Sequence, residues 1–173
     1  TPAFPIHWLI ENNEFYDCSK SCLHAWQDFY TFPGFGKINL DITIRGNDFY
    51  NCGSGGMDHC IYSGMGYGVV IENNRIWQTS GNAIQVQDHS EFHVNNGGIV
   101  RGNLIWDSGA GIIAAEYNRL VYNNIVFKSG STACDEWTYK WTLEVFGTPT
   151  CIQLGLFGTG LGVALQYGSQ MLA

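Results

Sequence analysis

Two carboxylates occupy equivalent positions in the chain and have a spacing that suits acid catalysis. Asp88 and Glu116 each lie four residues after an isoleucine, Ile84 and Ile112, which alternation of apolar and polar residues predicts to face inward. On neighbouring parallel strands the two carboxylates would stand about 4.8 Å apart. Retaining glycoside hydrolases hold their carboxyl groups about 5–5.5 Å apart, and such proximity raises one pKa, as a general acid requires. A hard cation such as Ca²⁺ also suits the pair, and the alternative is two solvated acids at a corner.

Side chains that suit a sugar lie on the equivalent strand of successive repeats and on the loop that follows Asp88. Aromatic rings cover the apolar C–H face of a sugar, while planar amides reach its hydroxyl groups. The candidate substrate-binding residues are His24, Trp26, Tyr62, Gln85, Gln87 and His89. The alternative is that these outward side chains only pair with one another across neighbouring strands. The positions fit both interpretations, a binding face beside the catalytic candidates and simple cross-strand packing.

A five-fold repeat predicts the elements that position these residues. Its copies centre on Asn13, Asn47, Asn74, Asn103 and Asn124, at intervals of 34, 27, 29 and 21 residues. An aliphatic residue precedes each Asn by three positions: Ile10, Ile44, Ile71, Val100 and Val121. An aromatic residue follows by three: Tyr16, Tyr50, Trp77, Trp106 and Phe127. Repeats of this length with a strand-like pattern cannot bury their apolar face alone, so they must stack.

The residues around each Asn indicate parallel stacking. Asn or Gly immediately before it marks a corner, because these residues best tolerate the left-handed backbone region. Stacked Asn side chains can form hydrogen-bonded amide ladders. The position two before each Asn reads Glu11, Arg45, Glu72, Arg101 and Tyr122, which predicts an outward column of alternating charge. We therefore predict that the aliphatic residues form one internal column of a parallel solenoid, and that the aromatic column is mainly structural.

The stretches IENNRIWQTSGNAIQV (71–86) and VRGNLIWDSGAGIIA (100–114) resemble the right-handed parallel β-helix repeat proteins, which include pectate lyase-like enzymes, uronan epimerases and phage tailspikes. The resemblance covers roughly residues 8–130 and implies an all-β, right-handed parallel β-helix of about five coils. It implies no particular activity, because one fold carries many functions. No catalytic motif of these families is recognisable in the chain, so no family catalytic residue is carried over.

Composition limits the other possibilities. The chain has 173 residues and a net charge of −7, with only eight Lys and Arg, which argues against nucleic-acid binding. No apolar run approaches the roughly 20 residues of a membrane span. Scattered His and Cys predict no zinc site, and no cofactor is predicted. The chain opens at Thr1 without a signal peptide, so we expect a mature or excised form.

The cysteines indicate the cellular compartment. Aligned repeats place Cys18 over Cys52 and Cys22 over Cys60, at a spacing within the Cα range of a disulfide. We predict disulfides within these two pairs, with Cys134–Cys151 as the third, and hence a secreted, extracellular protein. The alternative is a buried ladder of free thiols.

The differences in repeat length predict where a site lies. Two long excursions, 27–37 and 88–96, leave the same edge of the solenoid and flank a tight turn at 64–68, which together would make a groove. Residues 1–130 are predicted to form the coils, and 131–173 an irregular β-rich segment with strands near 136–146 and 151–157. Neither end shows a capping element, so we expect either a piece of a longer β-helix or a subunit that associates end to end.

Two function classes follow. The first is a secreted carbohydrate-active protein that binds a polysaccharide and, if catalytic, acts as a glycoside hydrolase or a polysaccharide lyase. Lyase chemistry has less support, because no cluster of Arg and acidic residues can be placed in the groove. The alternative is a structural or assembly module, such as a fibre, tailspike-like or surface protein, without catalysis.

Overall fold

A computed structural model describes residues 6–26, 40–55, 58–64, 68–87, 98–115, 119–127, 163–166 and 170–172. The strands are β1 (Ile6–Glu11), β2 (Glu14–Cys18), β3 (Leu23–Trp26), β4 (Leu40–Arg45), β5 (Asp48–Cys52), β6 (Ile61–Gly64), β7 (Val69–Glu72), β8 (Arg75–Gln87), β9 (Gly98–Arg101), β10 (Leu104–Ala115), β11 (Arg119–Tyr122), β12 (Ile125–Phe127), β13 (Val163–Gln166) and β14 (Gln170–Leu172). All pairings between these strands are parallel, which confirms the predicted all-β parallel architecture.

The first sheet contains the predicted aliphatic column. Its strand order is β1-β4-β7-β9-β11-β14, so each strand pairs with the equivalent strand of the next repeat. The in-register residues are Ile10, Ile44, Ile71, Val100 and Val121. Ile44, Ile71 and Val100 are completely buried. The prediction of one internal column is therefore confirmed.

The second sheet holds the two strand segments that follow each corner. Its main order is β12-β10-β8-β5-β2, while β3 pairs with β6, and β6 with β8. The inward residues Ile61, Ile84 and Ile112 are in register and buried. Facing the first sheet, these side chains complete a single apolar core.

The corners between the two sheets alternate between Asn and Gly. The residues before each ladder Asn all have φ between 53° and 63°: Asn12, Gly46, Asn73, Gly102 and Asn123. A Cβ added to Gly46 would lie 2.9 Å from Oδ1 of Asn12, so the Asn side chain of one repeat reaches over the Gly of the next. A second left-handed column, which the sequence analysis missed, contains Asp17, Asn51, Gln78 and Asp107.

The Asn residues form the expected ladder. Asn47 Nδ2 donates to Asn74 Oδ1 at 3.1 Å, and Asn74 Nδ2 donates to Asn103 Oδ1 at 3.0 Å. Each Oδ1 also accepts the backbone N–H of the preceding ladder Asn, for example Asn74 N–H to Asn103 Oδ1 at 3.0 Å. Nδ2 of Asn74 donates in addition to the Ile44 carbonyl at 3.0 Å. These bonds satisfy the polar corners inside the fold, where an unpaired group is costly.

Two outward columns confirm the remaining repeat predictions. The charge column contains the pairs Arg45–Glu11 and Arg101–Glu72, each with an N–O distance of 2.6 Å. The aromatic column is stacked throughout, with ring-centroid distances of 5.3, 4.7, 4.9 and 6.1 Å along Tyr16, Tyr50, Trp77, Trp106 and Phe127. Because the ring faces cover one another, this column has a structural role.

The predicted disulfide connectivity is wrong. Cys18 and Cys52 are in register, but the bonds join Cys18 to Cys22 and Cys52 to Cys60, with Cα–Cα distances of 5.3 and 5.2 Å. Side chains of in-register neighbours point the same way, so their Cβ atoms stay near the strand spacing of about 4.8 Å, beyond the roughly 3.5–4.5 Å that a disulfide prefers. Two cysteines of one repeat instead face each other across a corner. Cys134 and Cys151 lie outside the described residues.

Strands β13 and β14 extend the two sheets from within residues 131–173. Val163 is in register with Ile112, and Met171 with Val121. The tail therefore supplies a further pair of strands, which the Gly-punctuated sequence did not predict. The predicted strands near 136–146 and 151–157, and the excursions 27–37 and 88–96, lie outside the described residues.

Candidate functional site

The strand register brings three candidate binding residues into one row. His24 on β3 is in register with Tyr62 on β6, and Tyr62 with Gln85 on β8. Each follows an inward residue by one position, so the row lies on the outer side of the second sheet. Ile113 continues the row next to Gln85, as alternation predicts.

Tyr62 lies at the centre of this row between two imidazoles. The His24 ring meets it edge to face with centroids 4.9 Å apart, and the His59 ring stacks on it at 5.5 Å. Tyr62 is only 8% exposed, and burial raises the pKa of its phenol to about 12. The phenol is therefore a neutral donor at physiological pH, not a base.

Two neighbours of the row were missed by the sequence analysis as site residues. Asn82 Nδ2 donates to Gln85 Oε1 at 2.6 Å, and the Asn82 backbone N–H donates to His59 Nδ1 at 3.3 Å. Accepting this bond leaves the His59 proton on Nε2. The sequence could have shown that these residues lie near the row, because His59 and Asn82 each lie two residues before an inward isoleucine.

The row is partly covered, in contrast to the predicted open face. His24 is exposed, but Gln85 retains only 7% exposure, similar to Tyr62. Planar side chains in adjacent strands pack on one another and so remove each other's surface from water. Partial burial also lowers the pKa of the His24 imidazole, which favours the neutral ring that can accept a proton. The accessible part of the row is therefore its His24 end.

The strands leading to the candidate acids end in register. Gln87, the last residue of β8, pairs with Ala115, the last residue of β10. Asp88 and Glu116 are the next residues in sequence, and with His89 they lie outside the described residues. Trp26 is in register with Gly64, at the corresponding end of β3.

Other site types find no support in the described residues. No group of three or more His, Cys, Asp or Glu there is arranged to hold a metal ion. Within the same ranges, no helix combines the length and apolar character needed to cross a membrane.

Comparison with known proteins agrees with the fold. A family model described as a right-handed β-helix region matches residues 7–142, most of the chain. The chain belongs to the right-handed β-helix family. No curated protein and no solved structure matches it. The family match covers all five repeats of this β-helix protein. Because one fold carries many functions, the activity must be argued from the side chains of this chain.

Proposed function

We propose that this β-helix protein binds a polysaccharide along the outer row of β3, β6 and β8 and cleaves it with Asp88 and Glu116. The observation that carries the proposal is the register of the strands in the second sheet. It aligns His24, Tyr62 and Gln85 in one row. It also ends β8 and β10 at the paired residues Gln87 and Ala115, directly before Asp88 and Glu116 in sequence. A repeated scaffold suits an extended polymer, because successive strands present side chains at regular spacing.

The binding row offers a sugar both a ring face for its apolar C–H groups and polar groups for its hydroxyls. His24 is exposed and next to Tyr62, whose position is fixed by two imidazoles. Trp26 lies two residues after His24 in sequence, at the end of β3. We infer that His24 and Trp26 contact the sugar, and that Tyr62 orients His24 through the edge-to-face contact of their rings. We infer that Gln87 and His89, which directly precede and follow Asp88 in sequence, make further contacts with the sugar.

The cleavage step rests on the two acids that follow the last in-register pair. Starting from adjacent strands about 4.8 Å apart, carboxylates directly after β8 and β10 would match the separation of a retaining hydrolase. One acid would attack the anomeric carbon while the other protonates the glycosidic oxygen, and water would then release the covalent sugar. Hydrolysis is preferred to a lyase reaction in this proposal, because the sequence offers no cluster of Arg and acidic residues beside the row that would neutralise a uronate carboxylate.

The disulfides support an oxidising compartment for this function. Cys18–Cys22 and Cys52–Cys60 close two adjacent corners of the second sheet. Such bonds persist in secreted and extracellular proteins and are rare in the cytosol. We infer secretion, where the protein would meet a polysaccharide.

The test combines a glycan array with assays for new reducing ends and for unsaturated products. Wild-type protein is expected to bind at least one polysaccharide and to release reducing ends from it. Asp88→Asn and Glu116→Gln should each retain binding and lose at least about 100-fold in rate, as expected for an acid or a nucleophile. Asp107→Asn, an exposed acid on the neighbouring corner column, is the matched control and should leave the rate unchanged.

The structural alternative makes a different forecast in the same assays. An assembly module without catalysis would show no reducing ends, no unsaturated products and no glycan on the array. That result would remove both parts of the proposal. Binding without any product would remove the acids but keep the row.

A further inference from the structure

The two disulfides touch each other between the first and the second repeat. Cys22 Sγ lies 3.2 Å from Cys52 Sγ, although the bonds join Cys18 to Cys22 and Cys52 to Cys60. Two carbon atoms in optimal contact lie about 3.5–4.0 Å apart, and sulfur is the larger atom. The four sulfur atoms therefore form one continuous chain of contacts from Cys18 to Cys60.

The contact between the sulfur atoms runs diagonally across the two repeats. Cys18 is in register with Cys52. Cys22 and Cys60 directly precede β3 and β6, which pair with each other. The contact therefore joins the Cys22 sulfur of one column to the Cys52 sulfur of the other.

Backbone hydrogen bonds hold the two corners against each other without help from the disulfides. The Gly53 N–H donates to the Cys18 carbonyl at 2.7 Å, and the Leu23 N–H donates to the Cys60 carbonyl at 3.0 Å. One bond lies at each side of the corner. The two facing sulfur atoms therefore stay close after either disulfide is opened.

The two disulfides differ in their access to solvent. Cys18 and Cys22 are partly exposed, whereas Cys52 and Cys60 are 1% and 0% exposed. A thiol in solution therefore reaches the first bond and not the second. Thr79 takes the position of Cys52 in the third repeat, so within the described corners the chain of sulfur atoms ends at Cys60.

We propose that the two disulfides form a thiol–disulfide relay that carries a reduction from the surface into the core. A low-molecular-weight thiol attacks Cys18 Sγ, the Cys18–Cys22 bond breaks, and Cys22 leaves as a thiolate. The Cys22 thiolate then attacks Cys52 Sγ and forms the Cys22–Cys52 bond. The Cys52–Cys60 bond breaks, and its electron pair passes to Cys60 Sγ, which takes a proton from water. A second molecule of the small thiol releases the first from Cys18 as a disulfide.

The product of the relay joins the first two repeats directly. The new bond links residues separated by 30 in sequence, against separations of 4 and 8 for the bonds it replaces. A bond that closes a longer loop restrains the unfolded chain more strongly. The Cys60 thiol stays in the apolar core, where a free thiol packs as a small apolar group. The relay requires no glycan, so its test is separate from that of the proposed function.

Limited reduction of the full wild-type chain tests the relay. Reduced glutathione is added to the folded protein until the Cys18–Cys22 bond opens, and free thiols are trapped with N-ethylmaleimide. Non-reducing peptide mapping should then recover peptides that link Cys22 to Cys52, together with alkylated Cys60. Alkylation of Cys18 and Cys22 with the Cys52–Cys60 bond intact would overturn the proposal.

Two single variants separate the sulfur contact from the loss of a disulfide. Cys18→Ser leaves Cys22 as a free thiol beside Cys52. Cys22→Ser leaves Cys18 free instead and is the matched control, because both variants lose the same bond. At about pH 8, where an ordinary thiol is partly ionised, Cys18→Ser should lose the Cys52–Cys60 bond several-fold more than Cys22→Ser does. An intact Cys52–Cys60 bond in both variants, or equal loss in both, would contradict the relay.

The same mapping in guanidinium chloride shows whether the fold directs the exchange. In the unfolded Cys18→Ser chain, Cys22 should bond to Cys52 and to Cys60 in comparable amounts, because both lie at similar distances along the sequence. In the folded chain the bond to Cys52 should exceed the bond to Cys60 several-fold. An equal preference for Cys52 in both states would mean that the contact between repeats does not select the bond. The wild-type experiment does not depend on the folding of either variant.

Discussion

Ser63 shows how a single residue can depart from the repeat. Its hydroxyl is completely buried and has no hydrogen-bond partner among the described residues. In the neighbouring repeats the in-register residues are Ala25 and Val86. An unpaired buried polar group costs about 1–3 kcal/mol, so Ser63→Ala should raise the free energy of unfolding by about 1 kcal/mol.

Thr79→Val is the control for this substitution, measured in the same urea titration. The Thr79 hydroxyl is also buried but donates to the Gly81 carbonyl at 2.9 Å. Its loss should lower stability by about 1 kcal/mol. A Ser63→Ala protein that is less stable than the wild type would show that the hydroxyl has a stabilising contact.

Tyr62 predicts a loss of stability at high pH. Its pKa is raised to about 12 from 10 by burial, so the folded protein holds the phenolic proton more tightly than the unfolded chain. The contribution is complete below pH 10 and is lost as the pH rises through about 12. Two pKa units correspond to roughly 3 kcal/mol, which solvent screening of a partly exposed group reduces to about 1–2 kcal/mol.

The measurement is denaturant unfolding between pH 9 and pH 12 for wild type and Tyr62→Phe, within the window that the Tyr62 pKa defines. Tyr62→Phe should flatten the decline over this window. Tyr50→Phe is the comparison variant in the same titration. The pKa of Tyr50 is also raised to about 12, but by its hydrogen bond to Glu14 and not mainly by burial. An unchanged slope in Tyr62→Phe would mean that the phenol titrates normally.

At the scale of elements, the Asn ladder should be the most sensitive part of each corner. Asn74→Ala would remove the side-chain partner of the Ile44 carbonyl and of the Asn47 backbone N–H, and would leave Asn103 Oδ1 with only the Asn74 backbone N–H. Each unsatisfied group costs about 1–3 kcal/mol, and water partly replaces the lost bonds. We therefore expect Asn74→Ala to lower the free energy of unfolding by about 3–5 kcal/mol. Chemical denaturation measures it.

Asn13→Ala is the matched control for the ladder, since Asn13 is exposed. It should cost less than about 1 kcal/mol, because water replaces what is lost. Similar losses at Asn13 and Asn74 would contradict a ladder whose strength comes from burial.

The positions of the cysteines at the corners of the second sheet predict which cysteines are bonded to each other. Non-reducing peptide mapping should recover Cys18 linked to Cys22 and Cys52 linked to Cys60. Each bond closes a short loop and should contribute roughly 2–3 kcal/mol. Recovery of Cys18–Cys52 or Cys22–Cys60 peptides would contradict the corner geometry.

The elements also show what the sequence could and could not reveal. Column positions such as Ile44 and Ile71 were predictable, because a repeat fixes register and alternation fixes the side of the sheet. The cysteine pairing was not, because bond formation depends on Cβ direction around a corner as well as on spacing. Burial of Tyr62 was also unpredictable, since it follows from the packing of His24 and His59 around the ring.

At the scale of the whole molecule, family membership and function are separate questions. The β-helix assignment follows from the five Asn-centred repeats and from the family match over residues 7–142. The candidate site was predictable only as far as register extends, which is to Gln87 beside Ala115. Loop conformation beyond these strand ends is not encoded in a periodic pattern, so the geometry of Asp88 and Glu116 could not be derived from one.

Binding of a polysaccharide by Trp26 and the neighbouring row of His24, Tyr62 and Gln85 is the central claim, and a pair of tryptophan variants tests it most directly. On the polysaccharide bound best by the wild type, Trp26→Ala should weaken binding by about 1–3 kcal/mol, the range for losing a large apolar contact. Trp8→Ala removes an exposed tryptophan from the opposite sheet and should leave the affinity unchanged. Calorimetric titration of both variants gives the two values. Unchanged affinity in Trp26→Ala, or an equal loss in both variants, would contradict a sugar-binding row on β3, β6 and β8.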